Sequence, residues 1–183
     1  MLMIGDVHTM NGVILYQSKY GATKKYANWI SEETGFKCIE TKKADIKEVE
    51  KKDVIVLGGG IYASGIAGLS FLKKNIDRLK GKKIIVFCCM ASPYEENGFK
   101  EIVKYNLKDK LSDIPCFYCR GTFDMDSMSF IDRTLCNVLR KSIEKKDPRE
   151  YVNWEKALVE AGEEKCDWTD KIYVKPIIQA INL

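Results

Sequence analysis

Residues 13–23 read VILYQSKYGAT. The apolar run Val13-Ile14-Leu15-Tyr16 passes into a polar loop, Gln17-Ser18-Lys19-Tyr20-Gly21, and a helical pattern opens at Ala22-Thr23. In such a strand–loop–helix unit the first N–H groups of the helix lack intrahelical partners and, with nearby hydroxyls, surround an anion. Ser18 and Thr23 offer hydroxyls, Gly21 lets the backbone turn, and the N–H groups from Lys19 to Thr23 can form one nest. Lys19 or Lys24 adds positive charge or is simply solvated. The same residues also suit a plain strand-to-helix turn, so the loop alone leaves both readings open. The Walker spacing G-x-x-x-x-G-K-[ST] is absent, which argues against nucleoside triphosphate chemistry.

Helical and strand patterns alternate from there. Ala22, Tyr26, Trp29 and Ile30 share one helix face over residues 22–34, and Gly35 ends it. Residues 36–40 predict a short strand, 45–52 a polar helix or turn, and 54–57 (VIVL) a strand buried on both faces. Residues 58–65, GGGIYASG, are expected to form a long glycine-rich loop. Leu69, Leu72, Ile76 and Leu79 mark a helix, 84–89 a buried strand, 90–94 a loop, and Phe99, Ile102 and Val103 a further helix. A fifth strand over 114–119 runs into 120–126, and a helix over 127–143 carries Ile131, Leu135, Val138 and Leu139 on one face. Residues 151–161 read as helical, and Val174, Ile177, Ile178 and Ile181 predict a terminal amphipathic helix with Pro176 in its first turn.

Five apolar strands alternating with helices predict an α/β fold: a doubly wound five-stranded parallel sheet with a C-terminal helical extension. Ligands of such sheets bind beyond the carboxyl ends of the strands. The loops at 17–22, 58–66, 90–95 and 120–126 are therefore the candidate site.

The length of 183 residues suits one full core. Residues 1–10 lack the basic segment and cleavage site of a signal peptide, so a disordered leader over 1–10 and a single domain over 11–183 are expected. His8, the sole histidine, falls in that leader, which removes histidine-based triads. No apolar run is long enough for a membrane span, which leaves only peripheral contact open. The net charge of +4 is spread along helix faces, so nucleic acid is not an expected partner. Seven cysteines without a secretory signal point to free thiols and a cytoplasmic protein.

Two motifs mislead. Gly58-x-Gly60-x-x-Ala63 matches a relaxed dinucleotide fingerprint, but it follows the third strand, and the acid at the expected spacing, Asp77, lies inside a helix. A loop carrying Tyr62 better suits wrapping a flat ring, with solvent exposure of Tyr62 as the alternative. Cys116-x-x-Cys119 lies in a strand, where residues three apart face opposite ways; it and Cys88-Cys89 read as buried small hydrophobes, and no metal site is expected. Ser92 and Tyr94 in the third loop, and Phe123 in the fourth, add aromatic and polar walls at the same sheet edge.

Ser18-Lys19-Tyr20-Gly21-Ala22-Thr23 resembles the phosphate loop T/S-x-T/S-G-N-T of the flavodoxin-like family, departing at Tyr20 and Ala22. YQSKYGAT, GGGIYASGI and GTFDMDSMSFIDR resemble more closely the flavodoxin-domain branch that includes menaquinone-dependent protoporphyrinogen oxidases. In that branch G-x-x-D-x-x-x-x-S-F-x-D-R follows strand five, as Gly121, Asp124, Ser129, Phe130, Asp132 and Arg133 do here. The resemblance implies strand order 2-1-3-4-5 and FMN as cofactor. It places the phosphate on Ser18, Lys19, Tyr20, Gly21, Ala22 and Thr23. The ring falls against Gly60, Ile61, Tyr62, Ala63, Ser64 and Gly65, and against Ala91, Ser92 and Tyr94. It also points to the Gly60–Ile61 peptide as the one beside flavin N5.

Three functions follow as alternatives. One is an FMN-dependent oxidoreductase, of protoporphyrinogen-oxidase type with a quinone acceptor. The second is an electron carrier without a substrate of its own; shuttles of that kind are usually strongly acidic, which a charge of +4 does not match. The third is a flavin-free binding module on the same fold. Expected partners are a redox partner (an electron donor or quinone) or a small-molecule substrate. The sequence names no catalytic residue and no oligomeric state.

Overall fold

The computed structural model describes residues 10–162 and 164–183. Residues 1–9 of the expected leader, with His8, lie outside the described residues. Five parallel strands form the sheet: β1 (Gly12–Gln17), β2 (Lys37–Glu40), β3 (Val54–Tyr62), β5 (Lys83–Met90) and β6 (Cys116–Arg120). Their order is β2-β1-β3-β5-β6, and a two-residue strand, β4 (Gly65–Ile66), pairs antiparallel to β3. Counting parallel strands alone, this is the expected 2-1-3-4-5.

Alternation along the strands divides the core. Ile14, Tyr16, Val54, Val56, Ile85, Phe87, Cys89 and Cys119 face helix α1 (Ala22–Thr34) and the terminal helix α7 (Lys175–Asn182). Val13, Leu15, Ile55, Leu57, Val86 and Cys88 face the opposite side. That side is covered by α2 (Ile46–Val49), α3 (Leu69–Asn75) and α4 (Glu96–Asn106). Cys116 and Cys119 go to opposite faces, as do Cys88 and Cys89. Gly35, at φ 72°, ends α1 by donating to the Ser31 carbonyl.

Residues 58–65 are not a long loop. Gly58, Gly59 and Gly60 continue β3, paired in register with Phe87, Cys88 and Cys89 of β5. Their glycines answer to packing: a Cβ on Gly58 would lie 2.1 Å from the Phe87 ring, and one on Gly59 2.1 Å from the Ala67 carbonyl oxygen. Glycine is normally a turn signal, but it also marks strands that another group approaches closely. Only Ala63 and Ser64 turn the chain, with φ of 45° and 66°, the positive pair of a tight hairpin turn.

The second departure is C-terminal. After β6 the chain enters β7 (Thr122–Phe123), which pairs antiparallel with β8 (Cys166–Asp167). Between them lie α5 (Phe130–Ile143) and α6 (Asn153–Ala161). Phe123, Met125 and Ala161 form a small core of their own with Ala91, Met128, Leu158 and Trp168. The expected apolar face of α5 therefore joins neither face of the sheet. The position beside α1 is taken by α7, through Ile177 and Ile181.

Candidate functional site

The first loop ends on Gly21, the residue preceding α1, at φ 95°. Its N–H donates to Ser18 Oγ at 3.1 Å, so the Ser18 hydroxyl proton remains available to a further acceptor. α1 has no side-chain cap and no acid in its first turn, which leaves its N-terminal dipole uncompensated. Thr23 is only 2% exposed, yet its hydroxyl has no hydrogen-bond partner among the described residues. The oxygen itself keeps contact with solvent: among the described residues the only buried side-chain polar atom without a partner is Arg120 Nε.

Lys19 and Tyr20 turn elsewhere. Both donate to Asp132 Oδ2, on the first turn of α5. The Lys19 ammonium, followed by the Tyr20 hydroxyl, holds the Asp132 carboxyl down at about 2. Of the six loop residues expected to hold an anion, Ser18, Gly21, Ala22 and Thr23 remain oriented around the helix start. The side chains of Lys19 and Tyr20 tie the loop to α5 instead.

Tyr62 folds back, its hydroxyl 2.8 Å from where a Gly60 Cβ would sit, and its ring meets Tyr20 edge-on at 6.2 Å. Burial pushes the Tyr62 hydroxyl up. The Gly60 carbonyl accepts from Ala67 N–H at 3.0 Å, so it belongs to the hairpin ladder. The hairpin is splinted by Asn106, 4% exposed on α4. Its amide donates to the Ser64 carbonyl at 2.7 Å and accepts from Ile66 N–H at 2.8 Å. Asn106 carried no motif; a polar residue among the apolar positions of α4 was its only signal.

In the third loop the Ser92 carbonyl accepts from the Tyr118 hydroxyl at 2.7 Å, and Tyr94 packs 5.3 Å from Tyr118 and 5.7 Å from Phe99. Ala91 turns away into the small C-terminal core. Gly65 pairs with Tyr62 across the hairpin. Two cavities flank the hairpin. One of about 500 Å³ is lined by Gln17, Ser18, Lys19, Thr41 and Tyr62. The other, about 700 Å³, lies between Ile61, Ala63 and Ser64 on one side and Ser92 and Pro93 on another, with Leu139 and Trp154 closing it. The structure thus brings the second and third loops onto one cavity, and the first loop onto a neighbouring one with Tyr62. Tyr118 of β6, Leu139 of α5 and Trp154 of α6 were not among the expected site residues; for the last two, no local pattern shows that α5 and α6 come to this edge.

A family model described as a flavodoxin domain matches residues 13–150. The chain belongs to the flavodoxin domain family. Among solved structures, this flavodoxin-domain protein is similar to Megasphaera elsdenii flavodoxin at 22% identity, covering 58% of this chain and 82% of that one, with a TM-score of 0.41. A WrbA-like flavodoxin from Agrobacterium tumefaciens aligns at 18% identity over 72% of this chain and 98% of that one, TM-score 0.45. Rubredoxin oxygen:oxidoreductase from Desulfovibrio gigas aligns at 16% identity over 60% of this chain, TM-score 0.42; the flavodoxin-domain chain covers 29% of that larger protein. No curated protein matches the sequence.

Proposed function

We propose that this protein binds FMN and acts as a flavin-dependent oxidoreductase. The observation that carries the reading is the uncapped start of α1, where the unpaired Thr23 hydroxyl stands beside the Ser18 hydroxyl and the Gly21 turn. A phosphate monoester fits this donor set, since it is an acceptor of several hydrogen bonds with charge opposite to the helix end. In this reading Ser18, Gly21, Ala22 and Thr23 hold the phosphate, while Lys19 and Tyr20 brace the loop through Asp132. Residues 61–64 and 92–94 flank the flat ring. When bound, the flavin supplies the electron or hydride transfer; the chain supplies orientation and a partly dry pocket.

An enzyme is favoured over a plain electron carrier by the cavity of about 700 Å³. Its walls include α5 and α6, beyond the three loops that the cofactor needs, and its size is that of a small-molecule site. The finer reading, oxidation of a protoporphyrinogen-like substrate with a quinone acceptor, rests on the sequence resemblance around Ser129–Arg133. The seven free thiols suit a reducing cytoplasm. No helix among the described residues is long and apolar enough to cross a membrane.

The test is FMN titration followed by fluorescence quenching, on the wild type and on Ser18→Ala and Thr23→Val. Each substitution removes a hydrogen bond to a charged acceptor, about 1.5–3 kcal/mol, or roughly 10- to 150-fold in Kd. Unchanged affinity in the double variant would put the phosphate elsewhere, and a protein that binds no FMN would leave the flavin-free module. Anaerobic turnover of protoporphyrinogen with a quinone then decides the finer reading.

A further inference from the structure

Helix α5 is built inside out. Its body-facing side buries only Ile143 and part of Cys136 and is otherwise fixed by polar contacts: Asp132 accepts from Lys19 and Tyr20, and Arg133 donates to the Met125 and Asp126 carbonyls at 2.8 Å. Its outward side is apolar, with Phe130 84%, Ile131 69%, Leu135 57%, Val138 61% and Leu139 47% exposed. An amphipathic helix normally buries this stripe. Here it cannot roll inward without breaking the bonds of Asp132 and Arg133. Val152 and Trp154, 52% and 46% exposed, meet Leu139 at the larger cavity, so the stripe runs to the cavity's rim. A contiguous patch of this kind marks an interaction surface.

Shape and charge select the occupant. The stripe is a convex ridge of protruding side chains, not a groove. At its C-terminal end residues 140–149, RKSIEKKDPR, carry five Lys or Arg against two Asp or Glu. Lys141, one turn beyond Val138 on the same exposed side, and Lys145 after the helix have no ion-pair partner among the described residues. An apolar ridge continued by free lysines is complementary to a bilayer surface bearing negative headgroups, with an aromatic such as Trp154 at the boundary. We propose that α5 docks this protein on anionic lipid surfaces. Phe130, Ile131, Leu135 and Val138 enter the acyl boundary, Lys141 and Lys145 meet the headgroups, and the cavity rim at Leu139 and Trp154 faces the lipid. The docking is independent of the cofactor.

The experiment is co-sedimentation of the full chain with vesicles of phosphatidylcholine alone or mixed with phosphatidylglycerol. The expected result is binding to the phosphatidylglycerol vesicles that weakens as salt is raised and at least tenfold weaker binding to phosphatidylcholine alone. The triple variant Phe130→Ser, Ile131→Ser, Leu135→Ser should lose at least tenfold in binding while keeping its far-UV circular dichroism, since these side chains are largely outside the fold. Lys141→Glu with Lys145→Glu should lose binding with the apolar ridge intact. Absence of wild-type binding to phosphatidylglycerol vesicles overturns the proposal, as does binding that survives the triple variant. So does light scattering that finds a dimer converted to monomer by the triple variant, which would make a second copy the occupant.

Discussion

The Tyr20 hydroxyl, from the loop after β1, donates to the Asp132 carboxylate on the first turn of α5, across 112 positions of sequence. Lys19 joins the same oxygen. The contact ties the candidate phosphate loop to the excursion that covers the sheet edge. It also accounts for Tyr20 standing where a small hydroxyl residue is usual in the resembling motif: its hydroxyl is committed to α5.

The pH dependence of that link follows from its sign. The Asp132 carboxyl is lowered to about 2 by the Lys19 and Tyr20 hydrogen bonds. A carboxylate lowered in the folded state contributes stability above its unfolded pKa of about 3.9, and that contribution disappears as pH falls through the folded value. Asp132→Asn should therefore melt below the wild type at pH 7, with a gap that is flat from about pH 5 upward and closes between about pH 4 and 2. Thermal melts of both proteins across this range check it; a gap undiminished at pH 2 would assign the loss to something other than the carboxylate's charge.

Tyr26 joins three parts of the fold. Its hydroxyl donates to the Arg120 carbonyl at 2.7 Å and accepts from Asp170 N–H at 3.1 Å, and burial pushes that hydroxyl up. Tyr26→Phe keeps the ring but strands a carbonyl and an N–H. The expected loss is about 1–3 kcal/mol, read as a lower urea midpoint with an unchanged slope.

How far the sequence carried the reading differs by element. The β1 unit, α1 from Ala22 to Thr34, and α7 with Pro176 in its first turn were legible because periodicity and end signals agree there. The Gly58–Gly60 strand was not, since what excludes a side chain is Phe87 and Ala67, and local pattern contains neither. Nor was the placement of α5: Ile131, Leu135 and Val138 form an apolar face in sequence whether that face looks in or out. Its orientation is decided by Asp132 reaching Lys19 and Tyr20, a long-range contact. At the site, the residues around the helix start were legible, whereas Asn106, Tyr118, Leu139 and Trp154 arrive from elements whose docking is tertiary.

Cys88, Cys89 and Cys119 should behave as core residues. Cys88 and Cys119 are pushed well up, the first chiefly by its contact with Cys116 and the second by burial, and Cys89 is buried beside them. Only a thiolate reacts rapidly. Iodoacetamide at pH 8 followed by peptide mass mapping should leave Cys88, Cys89 and Cys119 unmodified in the folded protein and label them all in denaturant. Rapid native labelling of Cys119 would show that the edge strand β6 opens readily.

The hairpin at Ala63 and the strand at Gly59 make opposite demands on a Cβ. At Gly59 the obstacle is backbone, the Ala67 carbonyl oxygen 2.1 Å away, and that residue's N–H is itself bonded to the Gly60 carbonyl. Relief requires moving β4 off β3, so Gly59→Ala should cost about 1–3 kcal/mol, as overpacking does. At Ala63, φ is 45°, where a side chain is strained and glycine is not. Ala63→Gly trades that strain against greater unfolded-state freedom, and the net change should stay within about 1 kcal/mol of zero. Urea denaturation of the two variants side by side checks the contrast. A Gly59→Ala protein as stable as wild type would mean that the hairpin is not held where Asn106 and the β3 ladder place it.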